Sequence, residues 1–446
     1  MGPAMRFEFE WQEAPGVRDK PLAATWSRLS LSVGDLCATE VIDLRSSSRR
    51  TGIYGSLFPL AEWLVEQWWQ LLHEALPRSP VPGGRVAPPG LRGWVQRHSL
   101  LAARDGGALP DLTIARDGHD IVLHWEPDPT VRTSNRLRFV GQGTVRVNAQ
   151  DFERALVVFV DAVLARLNEQ LPNNQDVERV AKAWNAIRSA DIPERNLCES
   201  LAVMGVDPYD PDEATNDLIN AVERSIRDLP AELRADLLEG SNAGSFVTNL
   251  DWIERERVSL GGAVTSANFP TIDLDEPRTA HETGYLAAHR VRSELLGIPS
   301  NALVPDLHSV LVDRLGWAQD LIRTAPGTDH LQGMVGLDSA CSAPLLVVPN
   351  NRSEHAERFR LARAAFFPVT KSLRGSARLL TGSVTRPQRV ARAFAAELLA
   401  PAAALRRRVS GRVSEQDVEQ LADEYSVSTM VILHQLENHG IGYVES

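Results

Sequence analysis

The sequence predicts an α+β protein with a β-rich N-terminal domain over residues 1–150, a helical region and connector over 151–279, and a C-terminal module of a small sheet with helices over 280–446. Three observations predict this order. Short runs rich in β-branched and aromatic residues fill the first third of the chain. Apolar residues at helical spacing then follow to about residue 241. From residue 281 onward, helical and strand-like segments alternate.

Seven short segments of the N-terminal region have the composition of strands. They are Arg6–Trp11, Arg28–Val33, Thr39–Leu44, Asp111–Ala115, Asp120–Glu126, Arg136–Val140 and Thr144–Asn148. Asp117-Gly118 and Gly141-Gln142-Gly143 lie between such segments and predict hairpin turns. Leu60–Ala75 carries Trp and Leu at helical spacing, which we interpret as a core-facing helix rather than an aromatic ligand site. Pro77–Pro89 predicts a proline-rich loop.

The middle region has the apolar periodicity of helices. The predicted helices are Phe152–Leu167, Asp176–Ser189, Ile192–Met204, Pro211–Asp228 and Ala231–Glu239. Residues 242–279 show no clear period and predict an irregular connector.

The C-terminal region alternates between the two kinds of pattern. Its predicted helices are His281–Leu296, Val304–Leu315, Ala356–Phe367, Arg386–Leu399, Ser414–Tyr425 and Ser428–His439. Its predicted strands are Trp317–Arg323, Leu331–Leu337 and Pro344–Val348. A small sheet covered by helices follows from this order.

Composition bounds the class of protein. A chain of 446 residues with 43% hydrophobic and 24% charged residues is typical of two or three globular domains. No apolar run reaches the roughly 18–20 residues that span a bilayer, so we expect no membrane association. Cys37, Cys198 and Cys341 are far apart and have no metal-binding spacing, which indicates a reducing compartment. Since the N-terminus also lacks a signal-peptide core, we expect a cytoplasmic protein.

Charge is unevenly distributed along the chain. The net charge of −11 disfavours direct nucleic-acid binding, which depends on cations that neutralise phosphates. From Arg352 to Arg412, however, thirteen arginines and Lys371 face only three glutamates. This basic stretch fits either docking between domains or an acidic partner.

Residues 280–446 resemble the ImmA/IrrE family of bacterial metallopeptidase-like proteins. Five segments match the family in its own order. They are Gly284-Tyr285-Leu286-Ala287 with Arg290 and Leu295-Leu296-Gly297, Val304-Pro305-Asp306-Leu307 through Leu315-Gly316, Leu345–Val348, Arg358-Phe359-Arg360-Leu361-Ala362, and Ala391-Arg392-Ala393-Phe394-Ala395-Ala396-Glu397-Leu398-Leu399-Ala400-Pro401. The resemblance implies a zincin-like fold for this module. Residues 1–150 resemble no family that we recognise.

The resemblance also implies where the family's zinc site would fall. In its His-Glu-x-x-His helix, the two zinc histidines align with Arg363 and Phe367, and the catalytic glutamate aligns with Ala364. The acidic third ligand aligns with Gln388. Arg has no lone pair for a metal, Phe has no donor atom, and a neutral amide is a weak zinc ligand. We therefore predict a pseudo-metallopeptidase with no catalytic residue, no metal and no cofactor.

Two interpretations of these positions are open. Arg363, His355, Arg360 and Arg392 could form a binding pocket for a peptide, a carboxylate or a phosphate. Alternatively, Arg363 and Phe367 could simply fill the space. A rebuilt metal site would need His355 together with residues such as Asp338 and Cys341, which nothing in the sequence places together. His281-Glu282 is followed by Tyr285 rather than His, so it fails the zinc-helix spacing.

The leading functional hypothesis is a non-catalytic, peptidase-like binding or regulatory protein. From the resemblance, we expect it to act in bacterial stress, mobile-element or phage-related regulation, with a protein or peptide partner. The alternatives are an active metallo-endopeptidase with a rebuilt site and a transcriptional regulator that acts with a DNA-binding partner. The last two predicted helices imitate a helix-turn-helix, but Ser428–His439 has no Arg or Lys for a DNA groove. The sequence does not address the oligomeric state.

Overall fold

The computed structural model describes residues 3–14, 16–77, 91–105, 107–128, 137–260, 270–274, 279–304, 306–350, 353–373, 377–409 and 411–444. The chain forms two compact units, unit 1 (Met1–Ile219) and unit 2 (Asn220–Ser446). The predicted α+β class is confirmed, with a β-rich N-terminal part and a helical middle. The boundary between the units falls within the predicted region 151–279. Most of the predicted loop Pro77–Pro89 lies outside the described residues.

Unit 1 combines small antiparallel sheets with helices. Its strands are β1 (Met5–Trp11), β2 (Trp26–Val33), β3 (Leu36–Cys37), β4 (Val41–Asp43), β5 (Ser48–Arg50), β6 (Ile53–Ser56), β7 (Leu112–Asp117), β8 (Asp120–Trp125), β9 (Leu137–Phe139) and β10 (Gly143–Asn148). Its helices are α1 (Lys20–Ala24), α2 (Phe58–Glu66), α3 (Trp68–His73), α4 (Arg92–His98), α5 (Ala149–Gln170), α6 (Gln175–Ser189) and α7 (Ile192–Val203). Helix α8 (Asn216–Asp228) contains the boundary between the units.

The described strands of unit 1 form three sheets, and one predicted hairpin is wrong. Strand β2 pairs with β1, β3 and β6, β8 pairs with β7 and β10, and β4 pairs with β5 and β9. The turn at Asp117-Gly118 joins β7 to β8 as predicted. Gly141-Gln142-Gly143, however, joins strands of different sheets. A Cβ on Gly141 would lie 2.5 Å from the Cys37 carbonyl, so this glycine allows a close approach instead of a hairpin.

The helices of unit 1 bury the apolar faces that the sequence predicts. Helix α5 buries Phe152, Leu156 and Phe159, and the Phe159 ring stacks on Phe7 of β1 at a centroid distance of 4.6 Å. The predicted single helix Leu60–Ala75 is instead two helices, α2 and α3, which meet at Gln67. The tryptophans of both helices are buried in the core, as interpreted from the sequence.

A buried ion pair connects the end of α3 to α4. Arg97 Nε and Nη2 donate to the two carboxylate oxygens of Glu74 at 2.7 and 2.6 Å. The buried His98 ring lies 3.0 Å from Glu74 and 2.8 Å from the Ile114 carbonyl. Burial raises the pKa of Glu74, but hydrogen bonds from Arg97 and His98 outweigh burial and lower it below the usual value. Glu74 is therefore held as a carboxylate inside unit 1.

Unit 2 packs its helices around a small four-stranded sheet, and its last two strands pair separately as a two-stranded sheet. Its strands are β11 (Ile322–Thr324), β12 (Gly333–Leu337), β13 (Pro344–Val348), β14 (Arg378–Leu380), β15 (Gly411–Val413) and β16 (Gly442–Val444). Its helices are α9 (Ala231–Gly240), α10 (Ala243–Arg257), α11 (Ala280–Arg290), α12 (Leu307–Leu315), α13 (Glu354–Val369), α14 (Arg386–Leu399), α15 (Ala402–Arg408), α16 (Glu415–Tyr425) and α17 (Thr429–Asn438).

The main sheet of unit 2 has the strand order β11-β13-β12-β14. Strand β11 runs parallel to β13, whereas β12 runs antiparallel to both β13 and β14. Every residue of β12 and β13 is buried, which fits a central pair of strands covered by helices. Helix α13 packs on this sheet, α14 packs on α13, and α11 packs on α14.

The last of these contacts depends on a glycine. A Cβ on Gly284 of α11 would lie 2.6 Å from the Val390 carbonyl and 2.7 Å from the Ala393 Cβ. Only a residue without a side chain lets α11 approach α14 this closely. This requirement explains why the sequence has glycine inside a helix, where it otherwise destabilises.

The predicted irregular connector 242–279 is wrong in its first part. Helix α10 is capped by Asn242, whose side chain accepts from the Ser245 amide while the Ser245 hydroxyl accepts from the Asn242 amide. This reciprocal cap closes the first turn. Phe246, Leu250 and Ile253 then bury one face of the helix. Within the described residues, no helix is long and apolar enough to cross a membrane.

Candidate functional site

Helix α13 carries three of the four positions that the sequence aligns with a zinc site. It begins after Ser353 with Glu354 and Glu357 in its first turn, where carboxylates favour the positive end of the helix dipole. From Arg360 to Val369 every residue is buried. Arg363, Ala364 and Phe367 are therefore enclosed, with side-chain exposures of 2% or less.

Helix α14 supplies the fourth position. It begins at Arg386, with Pro387 in the first turn, where the missing amide hydrogen costs nothing. This start places Gln388 on the side facing α13, and Gln388 is fully buried. The structure thus brings Arg363 and Gln388 together.

Arg363 fills the centre of this site and is bonded to neutral groups. Its Nη2 donates to the Gln388 Oε1 at 2.7 Å and to the Thr381 carbonyl at 3.0 Å, and its Nη1 donates to Gln332. Its buried Nε has no hydrogen-bond partner among the described residues. Burial lowers the pKa of Arg363 to about 9, and repulsion from Arg392 and Arg360 adds to this effect. The guanidinium is still protonated at neutral pH.

The Gln388 side chain forms hydrogen bonds to backbone groups along β14, as a neighbouring strand would. Its Oε1 accepts from the Thr381 amide at 3.2 Å, and its Nε2 donates to the Leu379 carbonyl at 2.7 Å. The Leu379 amide is bound by Asp236 of α9 at 3.1 Å. The backbone groups of Leu379 and Thr381 are therefore already paired along this edge of the sheet. A peptide could not add here as a further strand unless these side chains moved away.

A buried ion pair completes the network. Arg378 Nε and Nη2 bind the two oxygens of Asp236 at 2.7 and 3.0 Å, a bidentate geometry. The Arg378 guanidinium also lies 5.0 Å from the Phe367 ring centroid. Burial lowers the pKa of Arg378, but the hydrogen bonds that Arg378 donates to Asp236, together with their opposite charges, outweigh burial and raise it. The Asp236 carboxylate is thus paired with Arg378 and is not free to act as a base.

The donor set at these positions does not fit a zinc ion. A guanidinium, a methyl group, a phenyl ring and an amide stand where the family's pattern needs two imidazoles and two carboxylates. Within the described parts of the chain, no group of three or more His, Cys, Asp or Glu side chains is arranged to hold a metal ion. No metal-dependent step can be derived from this arrangement.

Comparison of the chain with protein-family models, with curated proteins and with solved structures finds no match. The resemblance of residues 280–446 to the ImmA/IrrE family therefore stays a prediction from sequence motifs.

The other two arginines of the possible pocket donate to backbone carbonyls. Arg360 is buried and donates to the Asn350 carbonyl at 3.1 Å, and Arg392 donates to the Ser383 carbonyl at 2.6 Å. His355 lies half-buried in the first turn of α13. With Arg363 enclosed, this arrangement favours the interpretation in which Arg363 and Phe367 fill the space.

Several arginines of the basic stretch 352–412 form hydrogen bonds to backbone carbonyls inside unit 2. Arg358 donates to the Val304 carbonyl, and burial lowers its pKa. The buried Arg292, which lies well before the stretch in the sequence, likewise donates to the Leu398 carbonyl at 2.8 Å. The exposed arginines of the stretch, among those described, are Arg386, Arg406, Arg407, Arg408 and Arg412. Much of the local positive charge therefore holds loops and helix ends together.

The buried Glu397 of α14 connects two neighbouring helices to α14. It is fully buried, and it accepts from the Ala402 amide at 3.2 Å and from the Gln435 Nε2 at 2.8 Å. His289 and His439 approach the same carboxylate at 3.4 and 3.3 Å. Glu397 thus joins the end of α14 to the start of α15 and to α17. This interaction supports a structural role for α17.

Sequence reasoning found the four central positions but missed the residues that bind them. Gln332 lies just before β12, and Asp236 lies in α9, more than 140 residues before Arg378. Gln and Asp in such segments give no local signal of a shared network. The suggested ligands Asp338 and Cys341 lie in a turn, where Asp338 accepts from the Ala340 amide at 2.6 Å and Cys341 is exposed.

Proposed function

We propose that unit 2 is a non-catalytic, peptidase-like module and that the protein acts by binding a protein or peptide partner. By the resemblance of residues 280–446, the setting is the bacterial cytoplasm, in stress, mobile-element or phage-related regulation. One observation carries the proposal: Arg363 is enclosed where a metal would have to be held, and its donors are bonded to Gln332, Thr381 and Gln388.

Electrostatics supports the absence of a catalytic metal. Two unit charges about 4 Å apart interact by about 4 kcal/mol at an effective dielectric constant near 20, so a divalent cation beside Arg363 would be repelled by about 8 kcal/mol. No ligand at Arg363, Ala364 or Phe367 offsets this cost. Without a metal or a free carboxylate, water is not activated for attack on a peptide bond.

In the proposed function, the module binds its partner through its outer surface and not through the filled centre. The filled centre keeps α13, α14 and β14 in one rigid arrangement, because polar groups inside it are paired with one another. A rigid scaffold with a paired interior can present its outer surfaces to a partner.

Two measurements on the full chain test the proposal. Protein purified without chelators and then incubated with one equivalent of zinc should retain less than a tenth of an equivalent after desalting, and it should not hydrolyse unfolded protein substrates. Cross-linking in host cells, followed by purification of the tagged chain, should yield a defined protein partner that binds the purified chain again. Retention of a stoichiometric metal with peptidase activity would overturn the non-catalytic part. A chain that yields no reproducible partner would overturn the binding part.

A further inference from the structure

Strand β1 lies at an open edge of its sheet in unit 1. In the sheet of β1, β2, β3 and β6, β1 pairs with β2 alone. The ladder runs without a bulge from Met5, opposite Val33, to Trp11, opposite Ser27. Edge strands are usually very short, broken by proline or a bulge, covered by another element, or charged. Strand β1 has seven residues and no proline, so its charged side chains are its main protection.

Alternate residues of β1 point their backbone groups away from β2. The Gly34 amide donates to the Ala4 carbonyl at 3.0 Å, and the Gln12 amide donates to the Trp26 carbonyl at 2.9 Å. Because such bonds join every second residue of an antiparallel pair, the even-numbered residues of β1 bond to β2. The backbone groups of the odd-numbered residues face outward, and they have no hydrogen-bond partner among the residues that the structure describes. These residues are Met5, Phe7, Phe9 and Trp11.

Helix α5 packs on the apolar face of this edge. The Phe159 ring lies 4.6 Å from Phe7 and 5.9 Å from Phe9, centroid to centroid, and the Arg166 guanidinium lies 4.9 Å from the Trp11 ring. Even so, the three aromatic side chains of β1 remain partly exposed. Apolar side chains of an added strand would cover this remaining surface, and cross-strand pairs with aromatic residues stabilise a sheet.

The position of α5 argues against a second copy of the chain as the added strand. Neighbouring strands of a sheet lie about 4.8 Å apart. Packed helices need about 8–10 Å between their axes. If β1 of two copies paired, each copy would place its own α5 over one of two adjacent strands, and the helices would collide. An extended segment without a helix on this face meets no such obstacle.

The other face of β1 is charged and exposed. It carries Arg6, Glu8 and Glu10. On β2, Glu8 faces Ser30 and Glu10 faces Arg28, and no ion pair joins either glutamate to another described residue. The side chains of an added strand would lie directly opposite these three residues, where opposite charges stabilise and like charges destabilise. The edge therefore favours basic residues beside the two glutamates and an acidic residue beside Arg6.

We propose that the β1 edge binds an extended segment of a partner protein as an added antiparallel strand. Its sequence pattern is apolar-basic-apolar-basic-apolar-acidic-apolar, with the two basic residues opposite Glu10 and Glu8 and the acidic residue opposite Arg6. The antiparallel direction continues the rest of the sheet and is the more stable pairing per residue. Main-chain hydrogen bonds supply affinity and the alternate side chains supply specificity. This site lies in unit 1 and does not depend on the role proposed for unit 2.

The first test uses the blocked peptide Val-Lys-Val-Lys-Val-Glu-Val and the full chain. In the proposed pairing, the amides of its valines point toward β1 and those of its lysines point away. N-methylation of the third and fifth residues, both valine, should weaken binding at least about ten-fold because it removes hydrogen bonds to β1. N-methylation of the two lysines should leave binding unchanged. Saturation-transfer NMR titrations measure the affinities. Hydrogen exchange with residue-level fragmentation should show that the peptide slows exchange of the Phe7 and Phe9 amides.

The second test addresses the charges. The charge-reversed peptide Val-Glu-Val-Glu-Val-Lys-Val should bind at least about ten-fold more weakly than the first. The double variant Glu8→Lys with Glu10→Lys should lose this preference. Glu178→Lys with Glu194→Lys makes the same change of net charge at exposed positions of α6 and α7, and it should keep the preference. Unfolding temperatures verify that both variants are folded.

Three results would overturn the edge proposal. They are equal effects of the two N-methylations, unchanged exchange of the Phe7 and Phe9 amides, and a charge preference that survives the change at Glu8 and Glu10. Failure of the role proposed for unit 2 is detected separately, because zinc retention and peptidase activity do not involve β1.

Discussion

Replacing Arg363 by methionine tests whether the buried guanidinium holds the centre of unit 2 together. Met has a similar length but no donors, so the Gln332 side-chain oxygen and the Thr381 carbonyl lose their bonds to Arg363. A buried polar group left unpaired costs about 1–3 kcal/mol. Removal of a cation that lacks a contacting carboxylate recovers part of this cost. We expect Arg363→Met to lower the free energy of unfolding by about 2–4 kcal/mol.

The assay is urea unfolding at pH 7, with hydrogen exchange of peptides from α13 and α14 to localise the effect in unit 2. Arg386→Met is the matched control, because Arg386 is exposed at the start of α14 and should change stability by only about 0.5 kcal/mol. Gln388 should couple to Arg363, so the double variant with Gln388→Leu should cost less than the sum of the two single changes. An Arg363→Met protein as stable as the unaltered chain would refute the reasoning.

Two further predictions address the fold. Glu74→Gln should destabilise unit 1 most at about pH 6–7. The lowered pKa of Glu74 stabilises the folded state above the unfolded pKa near about 4.3, and this stability is lost as the pH falls through the folded pKa. Urea unfolding of both proteins between about pH 3 and 7 measures the difference in stability, and a difference independent of pH would contradict the prediction. Gly284→Ala should cost about 1–3 kcal/mol, since its Cβ would meet backbone and side-chain atoms of α14. A thermal unfolding midpoint unchanged by Gly284→Ala would show that α11 can move away from α14 without cost. Gly297→Ala provides a comparison without the clash, because Gly297 has open space around it but a left-handed backbone.

The sequence predicted helices best where apolar spacing and end signals agree. For α14 the predicted and observed ranges, Arg386–Leu399, are identical, because proline in the first turn and Pro401 after the last turn mark both ends. The whole of α10 was missed, because its cap, Asn242 with Ser245, is easily read as loop composition. Strand β14 was also missed, since three residues between loops carry no measurable period.

The candidate site was predictable in position but not in its interactions. The spacing within α13 placed Arg363 and Phe367 on the same side of one helix, and α14 brought Gln388 to them. The burial of Arg363 depends on Gln332 and Thr381, which lie in other segments. Because arginine is usually exposed in proteins, the presence of Arg363 favoured an open pocket when only the sequence was considered. Only the packed structure distinguishes a pocket from a filled centre.

Anomalous scattering from crystals grown with excess zinc tests the central claim most directly. Data collected above and below the zinc absorption edge locate the ion without assumptions about its ligands. The filled centre predicts no anomalous peak between α13 and α14, with Arg363 bonded to Gln388 and Thr381 as described. A zinc peak there, within about 2.3 Å of protein donor atoms, would contradict the account.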